Sequence, residues 1–343
     1  MARRTLIGAV GRRVLEAIPI LVGVVAATFL LMRVLPGDPA AFFASSPNAG
    51  KAEIEALRRQ LGLDRSLIEQ FWLYLSGLFT GQLGISIVSG QDVSRDLADR
   101  LPATIELAFV AFLMGAATAM PLGIVAALRQ GSWIDHACRV IASVGAAMPT
   151  FFFGLLLIFI FYYLLNWAPE PIGRLPAGWF PPPRITGFLL IDTLAAGDFE
   201  TFWEALRQLI LPAASMAIFA IAPISRMTRA SMLGVLSSDY VRAARAYGLP
   251  KRTILMRYAI RNALLPVITT MGMVLSTMIG ANVLVEKVFS WPGIGAYALD
   301  SLISLDYAPV QAFVLVVGVM FVALNLLIDI AYALVDPRVR VEG

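Results

Sequence analysis

The sequence predicts an all-α, polytopic membrane protein with six transmembrane helices, and three observations lead there. Hydrophobic residues make up 59% of the chain and charged ones only 15%. An average soluble domain carries about 25% charged residues, so this chain lacks the polar groups to cover a surface in water. Mean hydropathy is +0.78. Six stretches are apolar over the ~20 residues that a helix needs to cross a bilayer: 14–34, 105–128, 140–165, 206–224, 263–285 and 310–335. They are apolar all round rather than alternating, which argues against a lipid-facing barrel.

Taken in order, the first span follows the basic start MARRTLIGAVGRR. Its apolar run is longer than the ~7–15 residues of a signal core and no small-residue cleavage pattern follows, so a retained helix is expected rather than a cleaved leader. Residues 1–13 then form an N-terminal tail and 14–343 one six-span domain. Prolines 19, 121, 149, 212, 223 and 266 fall inside spans and predict kinks rather than breaks. Between the first two spans, residues 36–103 hold apolar positions at helical spacing. Gly62 and Asp64 mark a break between two helices, and 67–79 suits the membrane surface through Phe71, Trp72 and Tyr74. The proline-rich PEPIGRLPAGWFPPPR is ordered only if it packs on something. Cys138 cannot form an intrachain disulfide, and with His136 as the only histidine a His-rich metal cluster is excluded. Both are read as structural members of a short polar turn.

Lys and Arg set the orientation. Segments 1–13, 129–139, 226–262 and 336–343 carry net charges of +4, +1, +7 and 0; segments 36–103, 166–206 and 286–309 carry −2, −3 and −2. The positive-inside bias puts both termini and the 226–262 loop in the cytoplasm.

That loop contains SSDYVRAARAYGLPKR at 237–252. Ser237, Ser238 and Asp239 are N-cap residues, and Gly248 followed by Pro250 is a stop signal, so a helix of roughly nine residues is expected between them. Ala243 and Ala244 leave backbone open to close approach, Tyr247 is a large anchor, and Arg242 and Arg245 flank it. A solvated charge run, or attraction to anionic headgroups, accounts for the arginines. Neither accounts for the caps, the paired alanines and the glycine, which suit a helix docking into another protein's groove.

The stretch YVRAARAYGLPKRTILMRYAIRNALLPVIT resembles the "EAA" loop of ATP-binding-cassette (ABC) importer permeases, in the form used by the dipeptide/oligopeptide permease family. RVLPGDPA at 33–40, LPATIELAF at 101–109, ANVLVEKVFSWPGIG at 281–295 and NLLIDIAYALVDPRVR at 325–340 resemble further segments of that family in the same order. The resemblance implies a type I ABC importer-like permease of the prokaryotic inner membrane. It makes Asp239, Tyr240, Arg242, Ala243, Ala244, Arg245, Tyr247 and Gly248 an ATPase-coupling helix. Ala243 and Ala244 match the paired alanines and Gly248 the glycine; Arg242 stands at the glutamate position of the general pattern, and the Leu265–Pro266 step lies further from the glycine than in sugar importers.

No phosphate-loop, H-E-x-x-H, G-x-S-x-G or paired-cysteine zinc pattern occurs. No catalytic residue, metal or cofactor is therefore expected in this chain. The resemblance implies partners that supply the energy: two ATPase subunits that bind ATP and Mg²⁺, a second homologous permease and an extracytoplasmic substrate-binding protein. Transport of di- or oligopeptides by alternating access is expected, with nickel chelates, glutathione or opines as other substrates of relatives. No nucleic acid is implied. An ion-driven secondary transporter or channel is the rival; it favours internal symmetry and midplane charge pairs, and neither is visible. A scaffold without transport leaves the docking helix without a purpose.

Polar residues inside spans are costly in lipid and usually face protein. Asn325 and Asp329 share a face of the last helix, where they either pack on an arginine such as Arg226 or Arg229, or gate the inner mouth. Asn282 and Glu286 are likewise four apart; Glu286 either attracts the amino group of a peptide or anchors the SWPGIG turn. Glu106 is read as a helix cap. Met216, Met227, Met271, Met273 and Met278 are either adaptable packing or a tolerant pathway lining.

Overall fold

A computed structural model describes residues 2–34, 39–42, 51–60 and 62–335. The helices in chain order are α1 (Ala2–Val34), α2 (Pro39–Phe42), α3 (Lys51–Gln60), α4 (Leu67–Phe79), α5 (Val93–Leu128), α6 (Trp133–Ala147) and α7 (Thr150–Leu157), which runs on as a π-helix over Ile158–Leu164. There follow α8 (Leu189–Ala195), α9 (Phe199–Leu236), α10 (Asp239–Ala246) and α11 (Lys251–Thr253), a second π-helix over Ile254–Ile260, α12 (Arg261–Ala281), α13 (Val283–Val288), α14 (Ile294–Ile303) and α15 (Tyr307–Val335). Among the described residues the only strand-like pairing is one bridge between Ile85 and Asp92.

Among the described residues five helices are long and apolar enough to cross a membrane, and one further apolar pair is sharply bent, as in a broken span or a re-entrant loop. The apolar runs located the spans but not the helix ends. α5 begins at Val93 and α9 covers Phe199–Leu236, both well beyond 105–128 and 206–224, because a helix can continue through polar residues once it has left the lipid. The expected continuous span 140–165 is corrected: Trp133–Gly145 and Thr150–Leu164 meet at 100°. Met148 is extended and Pro149 is the N-cap of α7. A proline disfavours helical backbone in the residue before it, so Pro149 breaks this helix, whereas Pro19, Pro212, Pro223 and Pro266 lie within theirs.

The chain divides into two compact units, Met1–Pro102 with Pro292–Val322, and Ala103–Trp291 with Ala323–Gly343. In the first, Ser66 and Glu69 form a reciprocal capping box that starts α4, after Gly62 turns the chain with φ +68°. Phe29 of α1 is buried edge-on to Phe71 at 5.3 Å and stacked with Tyr74 at 6.2 Å. Two of the three aromatic residues expected at the membrane surface therefore pack on α1, and Trp72 alone is exposed. Elsewhere in this unit Val93, Leu97, Ile294, Tyr297 and Ala312 form a core. Beside it Asp96 accepts from the Tyr297 hydroxyl at 2.8 Å, and Asp306 from the Ser86 hydroxyl at 2.7 Å. Helix α14 occupies a stretch read from sequence as connecting loop.

The second unit is organised on α9, against which α6, α7, α8 and α12 pack. Its buried face is rich in small residues, Ala213, Ala217, Ala220 and Ala222 among them. Gly115 and Gly123 of α5 allow close approach: a Cβ on Gly115 would lie 2.6 Å from Ala220 Cβ, and one on Gly123 would lie 2.6 Å from both Ser225 O and Thr228 Cβ. Small residues are how helices gain contact in lipid, where no hydrophobic force drives them together.

Candidate coupling helix and its buried anchors

Helix α9 ends at Ser237, whose amide donates to Leu233 O at 3.2 Å. Ser238 stands at the N-cap of α10 in extended conformation. Its hydroxyl does not cap α10; it donates back to Val235 O at 2.6 Å. The residue types marking the helix start were legible, and the capping bond itself is replaced by a tie to α9. At the other end Gly248 has φ +71°, and its amide donates to Arg245 O while that of Leu249 donates to Ala244 O. This left-handed closure satisfies the last carbonyls and favours glycine.

Between these ends the eight residues of α10 divide cleanly into two faces. Val241 and Ala244 are buried in a cluster with Ile254 of the following π-helix. Asp239, Tyr240, Arg242, Ala243, Arg245 and Ala246 are exposed, as are Tyr247 and Gly248 just past the helix, Tyr247 to 86%. The two paired alanines therefore do opposite things: Ala244 fastens the helix to its own unit and Ala243 is open. Arg242 is ion-paired with Asp239 one turn earlier. The face turned outward thus carries two tyrosines, two arginines and a bare alanine, with Lys251 and Arg252 exposed just beyond.

Three buried carboxylates brace the second unit. Asp135, in the first turn of α6, takes two hydrogen bonds from Arg229 of α9 and one from the Gly131 amide, with Arg139 3.5 Å away. Glu106 accepts from Arg174 at 2.6 Å and from the Leu190 amide at 2.8 Å, and Arg174 also reaches Gly187 O. Glu106 does cap a helix, but the helix is α8 rather than its own. Through Arg174 it also ties the proline-rich stretch to α5. Glu286 is fully buried; it accepts from the Thr104 hydroxyl at 2.6 Å, and its carbonyl accepts from the Trp291 amide at 2.7 Å. The Trp291 indole donates to Ala103 O at 2.9 Å. Glu286 is thus tied through its side chain to Thr104 and through its carbonyl to the start of the SWPGIG turn.

A fourth carboxylate, Asp192 of α8, turns back to the loop before that helix. Burial acts to raise its pKa, but the Thr186 hydroxyl and the amides of Thr186, Gly187 and Ile185 all donate to it, and the net result is a value below the ordinary carboxylate range.

Asn282 is buried at the break between α12 and α13, and its carbonyl accepts from the Glu286 amide. Asn325 is half-buried on α15. Asp329 lies on the same helix, and its side chain is outside the described residues. Arg229, considered as their partner, is engaged by Asp135, and Arg226 is exposed. Of the methionines, Met216 and Met278 are buried core and Met227 and Met273 are exposed. Cys138 is buried, and His136 Nδ1 lies 2.9 Å from Ser132 O. Sequence reading missed the role of Asp135; its position three residues after Ser132 and an arginine inside α9 in need of a counter-charge were the available signals.

Among the described residues, five long apolar helices, one bent apolar pair and a short two-faced helix between two of them define a multi-pass, all-helical membrane protein. Family models agree: "Binding-protein-dependent transport system inner membrane component" matches residues 119–341, and the N-terminal model of the same system matches 6–108. The chain belongs to this family, as a multi-pass permease subunit of an ABC importer. It is 42% identical to the probable D,D-dipeptide transport system permease protein DdpB of Escherichia coli K12, over 94% of this chain and 95% of that one. It is 40% identical to the di/tripeptide transport system permease protein DppB of Pseudomonas aeruginosa UCBPP-PA14, over 96% and 98%. Among solved structures it resembles a chain of the MetNI methionine ABC transporter in inward-facing form, with TM-score 0.51 and 14% identity over 68% of this chain and 93% of that one. That likeness concerns the fold.

Proposed function

We propose that this chain forms half of the translocation pathway of an ATP-driven importer for di- and oligopeptides. The observation that carries the coupling is the two-faced α10, held by Val241 and Ala244 and presenting Tyr240, Tyr247 and the arginines outward. An ATPase subunit seats on that face. Two such subunits bind ATP and Mg²⁺, and a second homologous permease completes the pathway. A substrate-binding protein delivers peptide on the opposite side of the membrane, and both termini lie in the cytoplasm. Closure of the ATPase dimer pulls on α10, which passes the motion to α9 and the π-helix it packs against. The permeases then alternate between outward and inward openings. Peptide as substrate is supported by the names of relatives 40–42% identical over nearly the whole chain. Asn282, Glu286, Asn325 and Asp329 act as supports of the helices lining the pathway, Glu286 by holding the SWPGIG turn.

The test is uptake of a labelled dipeptide by cells carrying the full transport system. Depleting ATP while preserving the membrane potential abolishes uptake on this reading. Uptake that survives ATP depletion and stops with an uncoupler overturns it in favour of an ion-driven carrier.

A further inference from the structure

We infer that the first unit binds an anionic phospholipid by its headgroup phosphate, in a cleft at the end of α1. The cleft encloses about 400 Å³ and is lined by Leu30, Arg33 and Val34 of α1, Arg58 of α3, and Leu67 and Gln70 of α4. Tyr307 closes one side, and no acidic side chain lines it among the described residues.

Arg33 is the central observation. Its guanidinium lies 3.8 Å from the Phe29 ring centroid and 5.2 Å from that of Tyr307. Its Nε donates to Gln70 Oε1 at 3.2 Å, and Gln70 is itself oriented by donating to Arg65 O at 2.9 Å. The group is therefore stacked and fixed in direction. Yet no carboxylate among the described residues pairs with it, and its Nη1 is buried without any hydrogen-bond partner. A half-buried guanidinium fork held in place with no carboxylate beside it among the described residues is poised for an anion, and its planar donors match phosphate.

The kind of anion follows from position and lining. The apolar crossing of α1 ends at Val34, so Arg33 sits where the helix leaves the hydrocarbon, at headgroup depth. Leu30, Val34 and Leu67 continue the cleft with apolar surface suited to an acyl chain. Leu67, Ile68, Trp72 and Leu73 of α4 are exposed beside it, as on a helix lying in the interface. Two arginines above an apolar floor fit a phosphodiester with chains attached better than a small free anion.

The experiment uses the full chain, stripped of lipid in zwitterionic detergent. It is titrated with dioctanoyl phosphatidylglycerol, dioctanoyl phosphatidylcholine and inorganic phosphate, and bound molecules are counted by native mass spectrometry. One phosphatidylglycerol per chain is expected to saturate. Arg33→Gln should weaken it by about fivefold or more, given the contribution of one basic residue at a charged interface, and Arg33→Lys, which keeps the charge but not the planar fork, should recover only part of the loss. Phosphatidylcholine should bind more weakly and ignore the substitution. If Arg33→Gln does not fold, Arg58→Gln, at an exposed position, is expected to weaken phosphatidylglycerol in the same sense. Unchanged phosphatidylglycerol binding in the folded variants overturns the proposal. So does inorganic phosphate that occupies the site undisturbed by phosphatidylglycerol, which makes it a small-anion site. Neither result depends on what the chain transports.

Discussion

Arg229 meets Asp135 through two parallel hydrogen bonds, Nε to Oδ1 and Nη2 to Oδ2, both 2.8 Å. The carboxylate is 1% exposed and the guanidinium 25%. The pair fixes the first turn of α6 to α9, the helix whose end leads directly into α10.

Removing one member of a buried pair leaves the other charge without compensation, which typically costs about 3–5 kcal/mol. With Arg229 partly open to solvent, Asp135→Asn should destabilise the protein by about 2–3 kcal/mol. Thermal unfolding in detergent reads this as a lower Tm, and the double variant Asp135→Leu with Arg229→Met should recover part of the loss. A Tm unchanged by Asp135→Asn would show that the pair does not brace α6.

Close packing of α5 on α9 predicts a large effect from a small change. Gly123→Ala brings a methyl group to 2.6 Å from Ser225 O, a backbone atom, so one helix must move. Overpacking of this kind costs about 1–3 kcal/mol. Gly234→Ala, where a Cβ meets nothing within 4 Å, is the control and should hold the Tm or raise it slightly, since alanine favours the helix over glycine.

At Gly248 the constraint is conformational rather than spatial. No atom lies within 4 Å of a Cβ built there, yet φ is +71°. Gly248→Ala should cost about 1–2 kcal/mol in local closure of α10, and Gly248→Asn less, since asparagine tolerates the left-handed region. Uptake should fall in the order glycine, asparagine, alanine while membrane insertion is unaffected. Equal uptake by the three would remove the left-handed closure from the mechanism.

Asp192 predicts an acid limb in stability. Its folded pKa lies below the ordinary value, so its contribution is fully present above the unfolded value of about 3.9 and is lost as pH falls through the folded one. Wild-type protein should lose stability below about pH 4. Asp192→Asn should start lower at neutral pH and show a shallower decline. Parallel pH profiles for the two proteins would contradict the assignment.

The sequence made legible what local chemistry marks. Apolar runs located the spans, Ser238 and Gly248 bounded α10, and Gly62 with Asp64 separated α3 from α4. It did not reveal which side of a residue the tertiary packing covers. Ala243 and Ala244 look alike in the sequence and lie on opposite faces; Phe71 and Trp72 do the same. Charge pairing between distant residues was equally hidden: Asp135 meets Arg229, and Glu106 meets Arg174, only after the helices pack. The break at Pro149 has a similar origin. A proline inside an apolar run kinks or breaks according to whether neighbouring helices support the backbone it leaves unbonded.

The most direct measurement is how much ATP-hydrolysing subunit copurifies with this chain when Tyr247 is replaced by Ala and Arg245 by Glu. Both side chains are exposed, so the chain's own stability should change by no more than about 0.5 kcal/mol for each. The predicted result is a protein that melts as wild type but retains only a small fraction of the ATPase subunit and of dipeptide uptake. Full retention of both would contradict the assignment of α10 as the seat of the ATPase.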